Sequence, residues 1–146
     1  MSHEVENMFY VGREKPWHGL GVSVESAPTS EDAIRLAGLD WTVKQSPVYT
    51  EQGFEIPGYR ANIRDIDNTV LGMVGERYKV VQNKEAFDFT DAMLGEGVKY
   101  ETAGSLFNGK RIWLLARLPE TQILGDDVIP YLCFTNGHDG YHSIKV

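Results

Sequence analysis

Residues 98–119 read VKYETAGSLFNGKRIWLLARLP, and this stretch decides the fold. Two strand-like runs flank Asn108-Gly109. Asn-Gly supplies the two positive φ values of a type I′ turn, whose twist matches that of paired strands. A two-residue loop also fixes register. Phe107 is therefore expected to face Lys110, Leu106 Arg111, Gly104 Trp113, Thr102 Leu115 and Tyr100 Arg117. Alternation gives Phe107, Ala103, Ile112, Leu114, Ala116 and Leu118 to a core face. Tyr100, Arg111, Trp113 and Arg117 fall on an aromatic-basic outer face.

Working outward, Asn83 is expected to cap a helix that runs to about Leu94 and stops at Gly95, with a wide apolar face that includes Ala86, Phe87, Phe89 and Met93. Pro28-Thr29-Ser30-Glu31-Asp32 is the start of an earlier helix, with a hydroxyl cap, first-turn carboxylates and Gly38 as its stop. Between the two, Asp40–Thr50 reads as a strand in which Pro47 marks an edge. Tyr59–Arg64 and Thr69–Gly75 read as a second hairpin, with Tyr59, Ala61 and Ile63 opposite Val74, Gly72 and Val70, and with Arg60, Asn62 and Arg64 on the reverse face. Tyr78–Gln82, Val128–Thr135, Tyr141–Val146 and a short Met8–Val11 complete the strands. The order predicts one α+β domain over residues 1–146: a mainly antiparallel sheet with two helices packed on one side.

The 146 residues are 42% hydrophobic and 24% charged, enough for one core. No apolar run has the length of a membrane-spanning helix and the N-terminus lacks a signal layout, which points to the cytoplasm. Cys133, the single cysteine, lies between Leu132 and Phe134 and reads as a buried thiol. A formal net charge of −7 argues against broad attraction to nucleic acid, though not against a local basic face.

Several stretches resemble the phage/plasmid-like proteins of unknown function carried by prophages and mobile elements. The residues concerned are Pro16-Trp17-His18-Gly19-Leu20-Gly21, Gly38-Leu39-Asp40-Trp41, Val74-Gly75-Glu76-Arg77-Tyr78, 81–87 (VQNKEAF), Thr102-Ala103-Gly104-Ser105-Leu106 and Asn136-Gly137-His138-Asp139-Gly140. The resemblance implies a mobile-element context in a bacterial host cell. It also implies that the chain is the N-terminal part of a longer family protein. A looser likeness in topology is to the single-strand annealing proteins of phages and eukaryotic recombination. Those open with a helix, then a strand beginning with tryptophan, a β-hairpin and a helix, an order followed by Thr29–Gly38, Asp40-Trp41, Arg60–Gly75 and Asn83–Gly95.

The leading functional expectation is a non-enzymatic accessory protein that binds single-stranded DNA or RNA, with no cofactor and no membrane. Tyr100 and Trp113 would stack on bases, and Arg111, Arg117, Arg60 and Arg64 would meet phosphates. The competing structural reading has Trp113 merely covering Gly104 across the hairpin. Trp17 and His18 mark a candidate ligand loop. An enzyme would most plausibly assemble His18, His138, Asp139 and His142 as a metal or acid–base site, although glycines 137 and 140 deny His138 and His142 the shared face of a helix. No phosphate-binding loop, dinucleotide glycine pattern or nucleophile elbow is present. The acidic balance leaves one further partner open, a host protein whose nucleic-acid site an acidic surface would occupy, and a homo-oligomer is left open as well.

Overall fold

The central hairpin forms where its sequence places it, in a computed structural model that describes residues 5–12, 21–24, 26–95, 98–118 and 121–146. Its strands are β6 (Lys99–Leu106) and β7 (Arg111–Arg117). Asn108 (φ 57, ψ 38) and Gly109 (φ 89) take the positive φ values the turn needs, and the Lys110 N–H donates to the Phe107 carbonyl at 3.2 Å. The pairs Leu106–Arg111, Gly104–Trp113 and Thr102–Leu115 stand as expected.

Beyond Thr102 the register slips by one. Tyr100 faces Ala116 and Lys99 faces Arg117, because a bulge at Glu101 sets two residues against one. Tyr100 is thereby turned into the core, with none of its surface exposed. Phe107, expected inside, is 41% exposed at the turn, while Ala103, Ile112, Leu114 and Ala116 are buried.

The remaining strands and the two helices arrange themselves around this hairpin. β1 (Val5–Val11) pairs antiparallel with β6, β2 (Val22–Val24) pairs parallel with β1, and β10 (Tyr131–Gly137) pairs antiparallel with β7. The result is a mixed five-stranded sheet, in the order β10-β7-β6-β1-β2. A separate three-stranded antiparallel sheet contains β3 (Val43–Tyr49), β4 (Glu55–Arg64) and β5 (Val70–Gly75). A small ribbon, β8 (Thr121–Ile123) with β9 (Asp126–Val128), joins β7 to β10. The fold is thus α+β and rich in antiparallel pairing, but it has two principal sheets and one parallel contact where the sequence led us to expect a single antiparallel sheet.

Helices α1 (Ser30–Leu36) and α2 (Asn83–Leu94) supply Ala33, Ala86 and Phe87 to the core that Phe9, Tyr100, Ala103, Ile112, Leu114 and Phe134 line from the large sheet. Gln82, not Asn83, is the cap of α2, and it caps with backbone alone. Its side chain instead bonds both backbone groups of Val43, at 2.8 Å each. Tyr78–Gln82 forms no strand, and the last residues contribute only a bridge between Thr135 and Lys145. In the small sheet, Ile63 faces Val70 as expected, but another register shift sets Tyr59, Ala61 and Asn62 against Gly75, Met73 and Gly72. No helix among the described residues is long and apolar enough to cross a membrane.

Candidate functional site

Register decides which side chains share the outer face of the large sheet. Along β7 they are Arg111, Trp113, Leu115 and Arg117, because the alternate residues Ile112, Leu114 and Ala116 are buried against the helices. On β10, Tyr131 stands opposite Arg117 and Thr135 opposite Trp113, so Tyr131, Cys133 and Thr135 join that face. Two rows then run across the sheet. One reads Gly104, Trp113, Thr135, Lys145; the other reads Lys99, Arg117, Tyr131.

The indole of Trp113 lies on Gly104: a Cβ added there would come within 2.5 Å of its ring. The covering role that sequence allowed for Trp113 is therefore real. The ring is nonetheless half-buried, not sealed, and Arg111 and Arg117 flank it two and four residues away on the same strand. Arg117 stands 3.7 Å from Glu101, which also accepts from the Tyr131 hydroxyl at 3.4 Å. Among the described residues Arg111 makes no ion pair.

Among the described residues, four cations, Lys99, Arg111, Arg117 and Lys145, thus share this face with one carboxylate, Glu101, on a chain of formal charge −7. Three members, Lys99, Lys145 and Tyr131, were not foreseen. Counting alternate residues along β10 would have found Tyr131. The bulge hides Lys99, since the same slip that turns Tyr100 inward turns Lys99 outward. Cys133, expected to be buried, is exposed on this face.

Two expected members are elsewhere, and burial removes both from contact with a ligand. Tyr100 donates from its hydroxyl to Asp91 at 2.7 Å, and burial with that carboxylate beside it holds the phenol well above its ordinary pKa. Arg64 is only 6% exposed and is spent on internal pairs: Asp67 at 2.8 Å and Glu6 at 2.6 Å, with its guanidinium 5.3 Å from the Trp41 ring. Those hydrogen bonds hold Arg64 above and Asp67 below their ordinary pKa values. Arg60 is half-buried on the small sheet opposite Val74 and Pro47. Trp17 and His18 lie outside the described residues.

The histidine alternative separates into two unrelated roles. His138 is wholly buried where the two sheets meet. Its backbone N–H donates to the Lys110 carbonyl and its own carbonyl accepts from Asn62. Asn83 Nδ2 donates to the Leu39 carbonyl, so Asn83 Oδ1 is the acceptor facing His138 Nε2 at 2.8 Å, and Nε2 carries the proton. Among the described residues Nδ1 has no hydrogen-bond partner, and burial pushes the imidazole pKa down to about 4 despite the nearby Asp139. His142 pairs instead with Asp139 at 3.1 Å near the surface. Burial would raise the Asp139 pKa, but the Tyr141 N–H and His142 outweigh it and hold the carboxyl low. No group of three or more metal-ligating side chains forms among the described residues, so His138, Asp139 and His142 are not brought together as a metal site.

No curated protein and no solved structure matches the chain. A family model matches from the start of β5 and takes in the central hairpin, β10, Asn83 and His138. It is described as Domain of unknown function (DUF932) and covers residues 70–146, more than half of the sequence, and the chain belongs to that family.

Proposed function

We propose that this protein binds single-stranded nucleic acid on the outer face of its five-stranded sheet, as an accessory protein in the mobile-element setting its sequence resembles. The observation that carries the reading is the charge inversion on that face: among the described residues, Lys99, Arg111, Arg117 and Lys145 stand against Glu101, around the half-buried Trp113. The half-buried indole, with Tyr131 opposite Arg117, offers stacking surface, worth roughly 1–3 kcal/mol per base, and the cations supply the salt-dependent part. A duplex hides its base faces, so stacking of this kind selects unpaired strands. The looser likeness of the sequence to the annealing proteins suggests the same class of ligand.

Fluorescence anisotropy with labelled oligo-dT, oligo-rU and a matched duplex, across a salt series, tests the reading. Single strands should bind more tightly than duplex. Arg111→Glu with Arg117→Glu should abolish binding, and each single change should flatten the salt slope by about one. Trp113→Ala should weaken binding at all salt concentrations while the fold persists. Absence of binding at low salt, or variants that bind as the native chain does, would end the proposal.

A further inference from the structure

A cleft of about 490 Å³ lies between the first turn of α1 and the start of α2, and Asp40-Trp41-Thr42 closes one end of it. That volume is in the range of sites for small molecules. Its floor is apolar, made by Ile34, Trp41 and Phe87. The last described residues of the chain do not enter it: Ile144 lies along another flank of α2, with Val81, Glu85 and Phe89.

Side chains fix the walls. Ser30 Oγ donates to Asp91 Oδ2 and ties α1 to α2. Asn83 Nδ2 donates to the Leu39 carbonyl, and Gln82 bonds both backbone groups of Val43. Leu39 and Val43 bracket the segment that carries Asp40, Trp41 and Thr42, so that segment is anchored to α2 at both ends. The cleft is therefore built before any ligand enters it, which lowers the cost of binding one.

Its rim has one sign of charge to spare. Glu31, Asp40 and Asp88 stand there against Lys84, and all four are exposed. Lys84 Nζ lies 2.8 Å from Asp88, so those two satisfy each other. Among the described residues Glu31 and Asp40 have no ion pair and no side-chain hydrogen bond.

We propose that this cleft binds a small organic cation, an ammonium group carried on an aromatic or branched apolar body. The body rests on Ile34 and the ring carbons of Phe87 and Trp41, and the ammonium meets Glu31 and Asp40 at the rim. The occupant follows from charge complementarity. An anion of the same shape would face two uncompensated carboxylates, and a neutral molecule would leave both to water. The cleft lies among the helices, on the side of the large sheet opposite Trp113, so the inference stands independently of nucleic-acid binding.

Phenethylamine, phenethyl alcohol and hydrocinnamate share a ring and a two-carbon spacer and differ in charge. Titrated into the isotope-labelled full chain, phenethylamine should move the amide signals of Thr42, Lys84 and Asp88 and the Trp41 indole N–H along one saturable curve. The alcohol should bind roughly tenfold more weakly, the worth of two exposed ion pairs, and hydrocinnamate should not bind. High salt should narrow the gap between amine and alcohol. Glu31→Gln with Asp40→Asn should bring the amine to the affinity of the alcohol with the circular dichroism unchanged. Ile34→Trp fills the floor and should abolish binding while both carboxylates remain. No saturable shift with phenethylamine, equal affinity for the three probes, or shifts centred outside the cleft overturns the proposal. So does a double variant that still prefers the amine, or an Ile34→Trp chain that binds as the native one does.

Discussion

Two tryptophan–arginine pairings share their chemistry and nothing else. At Trp41 the indole is 3% exposed, its N–H donates to the Gly38 carbonyl at 2.9 Å, its ring meets His138 edge-on at 5.6 Å and the Arg64 guanidinium lies over it. At Trp113 the half-buried ring rests on Gly104, with Arg111 and Arg117 two and four residues away on the same strand. The first set holds the small sheet to the end of the large one, since Trp41 and Arg64 both close on Gly109 of the central turn. At the second, Arg117 stands 3.7 Å from Glu101, and Arg111 makes no ion pair among the described residues. Residue type is common to both, so partners and burial divide structure from function.

Replacing Trp41 with alanine is the most severe way to test the first half of this contrast. Chemical denaturation should show a loss of about 3–5 kcal/mol, the cost of deleting a buried indole. Acid comes next. His138 binds its proton at about 4 when folded but near its ordinary value of 6.5 when unfolded, so the unfolded chain holds more protons between those limits. Stability from this group is complete above about pH 6.5 and falls as pH drops towards 4, by about 3 kcal/mol in all. Urea midpoints at pH 7 and pH 4.5 measure it, and His138→Gln should remove this share of the slope.

Arg64→Leu should cost roughly 2–3 kcal/mol, because Glu6 is left partly buried with only the Ser105 hydroxyl at 3.1 Å. Trp113→Ala should cost about 1 kcal/mol or less by the same assay. A loss there as large as that of Trp41→Ala would erase the contrast and make both indoles structural.

Local signals were legible in the sequence, and long-range ones were not. Asn108-Gly109 announced its turn, and the bounds of α2 at Asn83 and Leu94 came out as read. The aromatic-basic face was right at Arg111, Trp113 and Arg117 because β7 alternates without interruption. It failed at Tyr100 because a bulge has no local mark: Glu101 looks like any other strand residue. Arg64 was misread for a different cause, since its partner Glu6 lies 58 positions away and no pattern within the hairpin points to it. His138 could be singled out as unusual, but its role rests on Asn83, 55 residues earlier.

The order of strands in the large sheet also bears on how the chain is made. β1 leaves the ribosome early, yet its antiparallel neighbour β6 follows only after the whole small sheet and both helices; the bond from the Thr102 hydroxyl to the Phe9 carbonyl closes a separation of 93 residues. Until then Phe9 has no sheet to enter, whereas the small sheet, built from consecutive strands, can pair during synthesis. Folding should therefore be sequential during translation, with the N-terminal strand captured only once β6 has emerged and the nascent chain open to chaperones in the interval.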